Sequence, residues 1–324
     1  MKEFAVGKND AGQRLDRFTG KTVPLLPEAL LQKYIRLGRI KVCGRRAKRD
    51  LRLNLGDTVQ MYINDEFFDR PTDENAYLKI STPHLDIVYE DEHILLANKP
   101  VGMLCHSAGE WSANTLIANI QAHALLTGAW DPKAENSFAP ALCNRIDRNT
   151  GGIVIAAKNA ETLRIMNQKI KDREVEKSYL CIVLGTPKPA EGKLENFLVK
   201  DEGKKQVFVH NKPVEGGRTA VTLYRTLAKR NGLSLVECRL ITGRTHQIRA
   251  QMAAAGHPLL GDGKYGRERE NKRLGKTNGQ ALYSYKLSFP FTTDAGCLEG
   301  LKGREWTVTD VPFVEEFFPG VTVD

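Results

Sequence analysis

The spacing of apolar residues divides the chain into a helical N-terminal part and a longer part that is rich in strands. Over residues 13–38 the apolar positions recur at helical spacing, which predicts a short helix at 13–23 and a second helix from Pro27 to Gly38. Helical spacing returns at 112–126, 160–171 and 245–255. From residue 85 onward, short β-branched or alternating segments predict strands near 85–89, 93–98, 153–157, 178–184, 206–209, 219–227, 233–241 and 280–290. Many strands with few helices between them favour an α+β fold with a mixed, mainly antiparallel sheet.

A polar and acidic stretch at residues 64–84 separates the two parts. It contains two prolines and shows no sustained periodicity, which is typical of a linker between domains. The 324 residues are therefore predicted to form a small domain at 1–63, a linker at 64–84 and a large domain at 85–324.

The composition is that of an ordinary soluble globular protein. No segment approaches the roughly 18 apolar residues of a membrane span, and residues 1–4 lack the apolar core of a signal peptide. The six cysteines form no CxxC pair and the seven histidines show no metal-binding spacing, which argues against a zinc site and against a disulfide framework. We therefore expect a cytoplasmic protein without a metal.

Positive charge is concentrated in the small domain. The net charge of the chain is +9, and residues 33–52 contain nine cations against one Asp. Clustering of this kind is typical of a protein that binds a polyanion such as RNA, although a solvated basic surface is the alternative. The cations that we expect on a binding face are Lys33, Arg36, Arg39, Lys41, Arg45 and Arg46.

The order of elements in the small domain carries a resemblance. Two helices, the second with a basic face, are followed by the segment IKVCG at 40–44 and by a Gly-Asp turn at 56–57. This order resembles the S4 RNA-binding domain over residues 12–62. The resemblance implies contacts to phosphates, which position a protein on RNA without reading its sequence. A protein-interaction module of the same shape is the alternative.

The polar segment at 144–152 leads directly into the apolar run at 153–157 and is therefore a loop at the entrance of a buried strand. Loops fixed by a rigid scaffold often hold catalytic groups. Asp147 lies between Arg145 and Arg148, and adjacent cations would keep a partly desolvated carboxylate ionised. Taken alone, the segment favours an Asp in an ordinary surface turn.

Four motifs in the same order and spacing resemble the RluA family of RNA pseudouridine synthases. The first is NRIDRNTGG at 144–152, beside the family's HRLDRxTSG. The others are LANKPVG at 96–102, KSYL at 177–180 and TGRTHQIR at 242–249, which continues into GHPLLGD at 256–262. The resemblance implies an isomerase that acts on structured RNA and uses no metal, redox group or nucleotide cofactor.

The resemblance also implies roles for individual side chains. Asp147 would attack C1′ of the target nucleotide or take its C2′ proton, and the sequence does not separate these routes. Arg249 would hold this carboxylate ionised, with Arg244 as the second choice. Tyr179 would lie against the target base, and Arg145 would fill the gap that the flipped base leaves. The remaining cations expected to contact RNA are Arg148, Arg244 and Lys99. A structural role for Lys99 is the alternative.

Four positions in two motifs depart from the family pattern. Asn144 replaces the family's His, Gly151 replaces its Ser, and the late family motif LHA is replaced by LYS at 282–284. None of these changes removes the expected nucleophile. Each is a candidate for a change in substrate preference.

Three functions are compatible with these observations. The first is pseudouridine synthesis in large-subunit ribosomal RNA, with transfer RNA as the second choice, because S4-containing members of the resembled family mostly act on that RNA. The second is a non-catalytic RNA-binding or ribosome-assembly protein, against which the intact set of Asp147, Tyr179 and Arg249 argues. The third is a glycoside hydrolase, which typically needs a second catalytic carboxylate where these motifs contain arginines. We expect a monomer whose partner is RNA.

Overall fold

The computed structural model describes residues 1–68, 72–107, 114–275 and 279–323. Two separate sheets organise these residues, one of four strands near the N-terminus and one of eleven strands. Within the described ranges, every helix is too short or too polar to cross a membrane.

The N-terminal unit consists of two helices packed on the four-stranded sheet. Its elements are β1 (Lys2–Ala5), α1 (Leu15–Thr22), α2 (Glu28–Leu37), β2 (Ile40–Val42), β3 (Arg45–Arg46) and β4 (Thr58–Met61). The strand order is β1-β4-β2-β3, and each pair is antiparallel. Leu15 and Phe18 of α1 and Leu31 and Ile35 of α2 are buried in one core with the inner face of the sheet. Both predicted helices are present, and Gly38 ends α2 in the left-handed conformation, with φ 72°.

Residues 64–84, predicted to be a linker, contain two 3₁₀ segments at Asp65–Phe68 and Thr72–Lys79. Tyr77 is buried in the second segment, and its ring packs edge-on against Trp130, with 5.2 Å between the ring centroids. Part of the stretch is therefore packed on the large domain. Its polar composition gave no indication of this contact.

The large domain is built on the eleven-stranded sheet. Its strands are β5 (Ile87–Glu90), β6 (Ile94–Lys99), β7 (Ala141–Leu142), β8 (Gly151–Ala157), β9 (Glu176–Leu184), β10 (Glu191–Asp201), β11 (Gln206–His210), β12 (Arg218–Arg230), β13 (Leu233–Leu240), β14 (Leu282–Ser288) and β15 (Glu305–Thr307). Their order is β11-β10-β12-β13-β9-β14-β8-β6-β5, with β7 on β8 and β15 on β14. Among the described strands of this sheet, only β8 and β14 pair in parallel. The predicted α+β fold with a mainly antiparallel sheet is confirmed.

Helices cover both faces of this sheet. They are α3 (Leu116–Leu126), α4 (Ala160–Lys171), α5 (Gln247–Ala254), α6 (Glu268–Arg273) and α7 (Pro312–Phe317). Helices α3 and α5 pack on the face that contains Tyr179, whereas α4 and α7 pack on the opposite face. The first residues of the helix predicted at 112–126 lie partly outside the described ranges, and its described part begins at Leu116. The face beneath α3 and α5 is where the candidate site lies.

The N-terminal unit is bonded to the large domain through the loop before β7 and the start of α4. Nδ2 of Asn136 donates to the carbonyl oxygen of Ala5 at 2.6 Å and to Oδ2 of Asp10 at 2.8 Å. Asp10 is buried, and Oδ1 of Asn9 accepts the N–H of Ala160 at 3.0 Å. These bonds hold the basic unit at one position on the large domain.

Candidate active site

The loop before β8 and helix α5 bring a carboxylate and a guanidinium together. Oδ2 of Asp147 accepts a hydrogen bond from Nη1 of Arg249 at 2.7 Å, although the two residues are 102 positions apart in the chain. Nε and Nη2 of the same guanidinium donate to the two oxygens of Asp262 at 2.7 and 3.0 Å. Arg249 therefore joins two carboxylates and is fixed in one orientation by the bidentate pair.

The two carboxylates differ in exposure. The side chain of Asp147 is 30% exposed and that of Asp262 is 0% exposed. Burial by itself would raise the pKa of Asp262, but Arg249 and the N–H groups of Tyr265 and Lys264 hold it below its usual range. Burial would likewise lower the pKa of Arg249, and its bonds to the two carboxylates raise it instead. Asp262 thus fixes the arginine, and Asp147 is the carboxylate that a substrate can reach.

The loop that carries Asp147 is fixed by bonds to its backbone and to the strand that follows. The carbonyl oxygen of Asp147 accepts the N–H of Thr150 at 3.1 Å, which closes a turn after the carboxylate. Oδ1 of Asn144 accepts the N–H of Ile155 in β8 at 2.8 Å. Asn144 therefore keeps a bond to the neighbouring strand at the position where the resembled family has His.

Tyr179 lies in β9 on the same face of the sheet as this loop. It is 6% exposed and packs in one cluster with Ile146 of the loop and Ile248 of α5. Burial raises the pKa of Tyr179 to about 12; a hydrogen bond from Ser284 acts in the opposite direction, and the charge of Asp147 adds to the increase. The phenol is therefore protonated at neutral pH.

His246 and Tyr265, which the sequence analysis did not select, complete the site. Nε2 of His246 lies 3.8 Å from Oδ2 of Asp147, and Nδ1 lies 2.9 Å from the hydroxyl of Tyr265. The guanidinium carbon of Arg249 lies 5.3 Å from the centroid of the Tyr265 ring, within the range of a cation–π contact. His246 is part of the TGRTHQIR motif, so the sequence contained the signal, but the motif does not show what the imidazole faces.

The structure brings Arg249, and not Arg244, to Asp147. Arg244 is exposed, and its Nε donates to the carbonyl oxygen of Thr219 at 3.1 Å. Arg145 and Arg148 are exposed on either side of Asp147, where a bound RNA can reach them. These positions are compatible with the RNA contacts expected of all three arginines.

Lys99 occupies a different environment from the other cations. It is fully buried, and its ammonium donates to the carbonyl oxygens of Pro100, Met103 and Arg148 at 2.9, 2.8 and 3.1 Å. Burial lowers the pKa of Lys99 to about 8. Because all three ammonium protons are used inside the protein, this placement favours the structural alternative over a contact to phosphate.

The basic residues of the N-terminal unit lie mainly on its surface. Lys33, Arg36, Arg39, Arg45 and Arg46 are exposed, and Lys41 is half-buried beside the ring of Tyr62. A cavity of about 620 Å³ lies between α2 and residues 46–50, which are the end of β3 and the segment after it. Its charged lining consists of Arg36, Arg46, Lys48, Arg49 and Asp50. The surface is suited to an anionic ligand.

Gly151 and Tyr283, two positions at which the chain departs from the resembled family, lie in contact with each other. A Cβ atom placed on Gly151 would lie 2.5 Å from Cε2 of Tyr283. Tyr283 is buried, and its hydroxyl donates to Oδ1 of Asn98 at 2.7 Å. The missing side chain at position 151 therefore makes room for the larger ring at position 283.

A family model that matches half of the chain identifies the family to which the chain belongs. The family model described as RNA pseudouridylate synthase matches residues 93–254, which contain the loop of Asp147, strand β9 and helix α5. The chain belongs to the RNA pseudouridylate synthase family and is an isomerase that acts on RNA. The family and the RNA pseudouridine synthase activity predicted from the four motifs are confirmed.

Similar proteins cover most of the chain. An RNA pseudouridine synthase of Mycoplasma genitalium, described as uncharacterized, is 31% identical over 290 residues, which are 89% of this chain and 89% of that protein. The ribosomal large subunit pseudouridine synthase D of Neisseria meningitidis serogroup A is 31% identical over 287 residues, which are 86% of this chain and 72% of that protein. Human RNA pseudouridylate synthase domain containing 1 shares the fold, with a TM-score of 0.57 at 20% identity over 75% of this chain and 91% of that chain.

Proposed function

We propose that this protein isomerises one or more uridines of large-subunit ribosomal RNA to pseudouridine, with Asp147 as the reacting carboxylate. The supporting observation is the ion pair between Asp147 and Arg249, which is itself fixed by Asp262. Arg249 bonds to Oδ2 of Asp147, and no residue in the described ranges donates a hydrogen bond to Oδ1. One oxygen is thus anchored and the other is available to the substrate.

Oδ1 can open the nucleotide by either of two routes. In the first it forms a bond to C1′ while the C1′–N1 bond breaks and the electron pair passes to the uracil ring. In the second it takes the C2′ proton and a glycal forms as the same bond breaks. Both routes end when the uracil has turned and C5 has bonded to C1′. In the first route the Oδ1–C1′ bond breaks as C5 attacks, and in the second C2′ regains its proton. In both, C5 then loses its proton and N1 gains one. Both require an ionised carboxylate, which the guanidinium of Arg249 stabilises.

Tyr179 is proposed to hold the target base. An aromatic ring offers a stacking surface to uracil, and the ring lies on the face of the sheet that also carries Asp147. Since the pKa of Tyr179 is raised to about 12 by burial, its hydroxyl is a donor at neutral pH. It can therefore stabilise negative charge on the detached uracil before the C5 proton leaves.

The exposed arginines and the N-terminal unit are proposed to hold the RNA. The target nucleotide must leave its stack, which costs a few kcal/mol, and the planar guanidinium of Arg145 is suited to the vacated space. The resemblance of residues 12–62 to an S4 domain, together with the exposed cations on α2 and β3, supports a phosphate-binding role for this unit. Domain boundaries at 63 and 84 are part of this proposal, with Tyr77 of the intervening stretch packed against Trp130 of the large domain.

Large-subunit ribosomal RNA is proposed as the substrate because relatives of this chain carry that substrate in their names, including the Neisseria protein.

The six cysteines are free, which supports a reducing cytoplasm as the place of action. One chain supplies Asp147, Tyr179, Arg249 and Asp262, which supports a monomer as the active form.

Pseudouridine mapping in cells that lack the protein tests this proposal. Total ribosomal and transfer RNA are mapped after complementation with wild type, with Asp147→Asn, or with Asp294→Asn as a matched control at an exposed loop position. We expect one or a few pseudouridines of large-subunit ribosomal RNA to disappear and to return with wild type and the control only. Sites that vanish in transfer RNA instead would overturn the substrate. Full restoration by Asp147→Asn would overturn the catalytic role.

A further inference from the structure

The backbone at His246 is held in an unusual conformation that directs the imidazole into the site. His246 precedes α5 with φ 52° and ψ 23°, in the left-handed region that side-chain-bearing residues rarely occupy. Its side chain is 16% exposed and lies between Asp147 and Tyr265. Strained backbone of this kind persists where surrounding contacts require it, and it is frequent at functional sites.

The hydrogen bonds of Tyr265 favour one of the two neutral tautomers of His246. The N–H of Val207 donates to the hydroxyl oxygen of Tyr265 at 2.8 Å, so this oxygen is an acceptor there. The hydroxyl has one proton, and of its two hydrogen-bond neighbours within the described part of the chain only Nδ1 of His246, at 2.9 Å, can accept it. A neutral imidazole that accepts at Nδ1 carries its own proton on Nε2. Nε2 is the nitrogen that faces Asp147.

We propose that His246 is a positioning residue of this site, held by Tyr265 as the neutral tautomer whose Nε2–H points at Oδ2 of Asp147. This inference rests on the proposed function and adds a second donor to the oxygen that Arg249 already anchors. Two donors on Oδ2 fix the plane of the carboxylate and leave Oδ1 as the oxygen that meets the substrate. The separation of 3.8 Å is longer than a hydrogen bond, and it allows Nε2–H to close on Oδ2 when a bound nucleotide excludes water.

The charges around His246 agree with a neutral ring. Burial lowers the pKa of His246; Asp147 and Asp262 oppose this decrease, and Arg249 and Lys264 add to it. A lowered pKa favours the uncharged ring at neutral pH. A cation at this position would compete with Arg249 for Asp147, whereas a neutral donor supports the same ion pair.

The tautomer is measurable without any substrate. Long-range ¹H–¹⁵N spectra of the ¹⁵N-histidine-labelled protein at pH 7.5 distinguish the two tautomers and the imidazolium, and the signal that disappears in His246→Gln is assigned to His246. We expect the tautomer protonated on Nε2 in wild type and a mixture of tautomers in Tyr265→Phe. The inference is overturned if wild type shows the Nδ1–H tautomer or the imidazolium, or if Tyr265→Phe leaves the tautomer unchanged.

Steady-state kinetics on an unmodified large-subunit ribosomal RNA transcript test the consequence. A hydrogen bond to a charged group corresponds to about a tenfold effect or more. We expect His246→Ala to lower kcat about tenfold with little change in KM. Glutamine has an acceptor for Tyr265 and a donor for Asp147 but cannot become a cation, so His246→Gln should retain most of kcat.

His257→Ala, at the other end of α5, is the matched control and should be active. If wild type is active and His246→Ala equals it, or if His246→Gln is as impaired as His246→Ala, the inference fails and the proposed function stands. If wild type modifies neither this transcript nor cellular RNA, the proposed function fails with it.

Discussion

The contact between Gly151 and Tyr283 makes a quantitative prediction about stability. Restoring the family residue by Gly151→Ser places a Cβ atom 2.5 Å from Cε2 and 2.8 Å from Cδ2 of the Tyr283 ring. The ring is 5% exposed and its hydroxyl is bonded to Asn98, so it cannot move aside without losing that bond as well. The backbone of Gly151 does not have a positive φ, so the side chain is opposed by the steric contact with Tyr283 and not by backbone strain.

The expected cost follows from overpacking, which destabilises a core by about 1–3 kcal/mol. We take about 2 kcal/mol for Gly151→Ser, which lowers the Tm of a domain of this size by about 4–8 °C. In the Tyr283→His background the ring atoms that cause the clash are absent or displaced. There the same Gly151→Ser change should cost less than about 0.5 kcal/mol, which gives a coupling energy of about 1.5 kcal/mol.

Thermal and urea unfolding of the four proteins of this cycle measure the coupling directly. Gly300→Ser is the matched control, because a Cβ atom there meets nothing within 4 Å, and it should leave the free energy of unfolding nearly unchanged. Equal losses from Gly151→Ser in the wild-type and Tyr283→His backgrounds would refute the reasoning. The two positions would then be independent departures from the family pattern.

Three further predictions concern buried polar contacts. Arg249→Lys removes the planar fork that bonds both oxygens of Asp262 and also Asp147, and it should lower the free energy of unfolding by about 1–3 kcal/mol in urea titrations because a buried carboxylate loses a hydrogen bond. Asn144→Ala leaves the N–H of Ile155 without its acceptor and should cost about 1–3 kcal/mol in the same assay. The pKa of Lys99 is lowered by burial from 10.5 to about 8, so between these pH values the unfolded chain binds more protons than the folded protein. Stability measured by urea unfolding should therefore rise with pH over this window in wild type, and Lys99→Met should lose that part of the rise.

Arg249→Lys has a matched control, and each of the three predictions has an outcome that would contradict it. Arg239→Lys, in an exposed ion pair with Glu176, should change stability by less than about 0.5 kcal/mol. An Arg249→Lys protein as stable as this control would mean that Asp262 does not depend on the guanidinium. An unchanged Asn144→Ala protein would mean that water replaces the lost acceptor. Equal pH dependence in wild type and Lys99→Met would show that Lys99 titrates in the folded protein as it does in the unfolded chain.

Local pattern predicted eight of the eleven strands of the large sheet and missed the two short strands β7 and β15 and the long strand β10. That strand has 11 residues, and many of them are charged or only half-buried, so it lacks the apolar signal that identified its neighbours. Its pairing with β11 and β12, rather than its composition, makes it a strand. Helix α4, by contrast, occupies the predicted residues 160–171, because its Asn159 cap and its apolar spacing are both local signals.

The candidate site was predictable only where a motif carried a known role. Asp147 and Arg249 were selected by resemblance, and their pairing depends on a contact between residues far apart in the chain. Asp262 lies within a matched motif but bears on function only through Arg249. Lys99 had two interpretations in the sequence, and its burial, which sequence spacing does not reveal, favours one of them.

The pairing of β8 with β14 explains why the loop of Asp147 and the ring of Tyr179 lie side by side. Ser284 of β14 pairs with Gly152 of β8 on one side and with Tyr179 of β9 on the other. A Cβ atom on Gly152 would collide with the backbone of Ser284, and the φ of 111° at this residue is one that only glycine adopts readily. The close approach at Gly152 therefore permits the one parallel pair found among the described strands of this sheet. The loop of Asp147 leads into Gly152, so the packing of the backbone at Gly152 sets the position of the Asp147 carboxylate relative to Tyr179. A side chain at position 152 would therefore displace this carboxylate without contacting it.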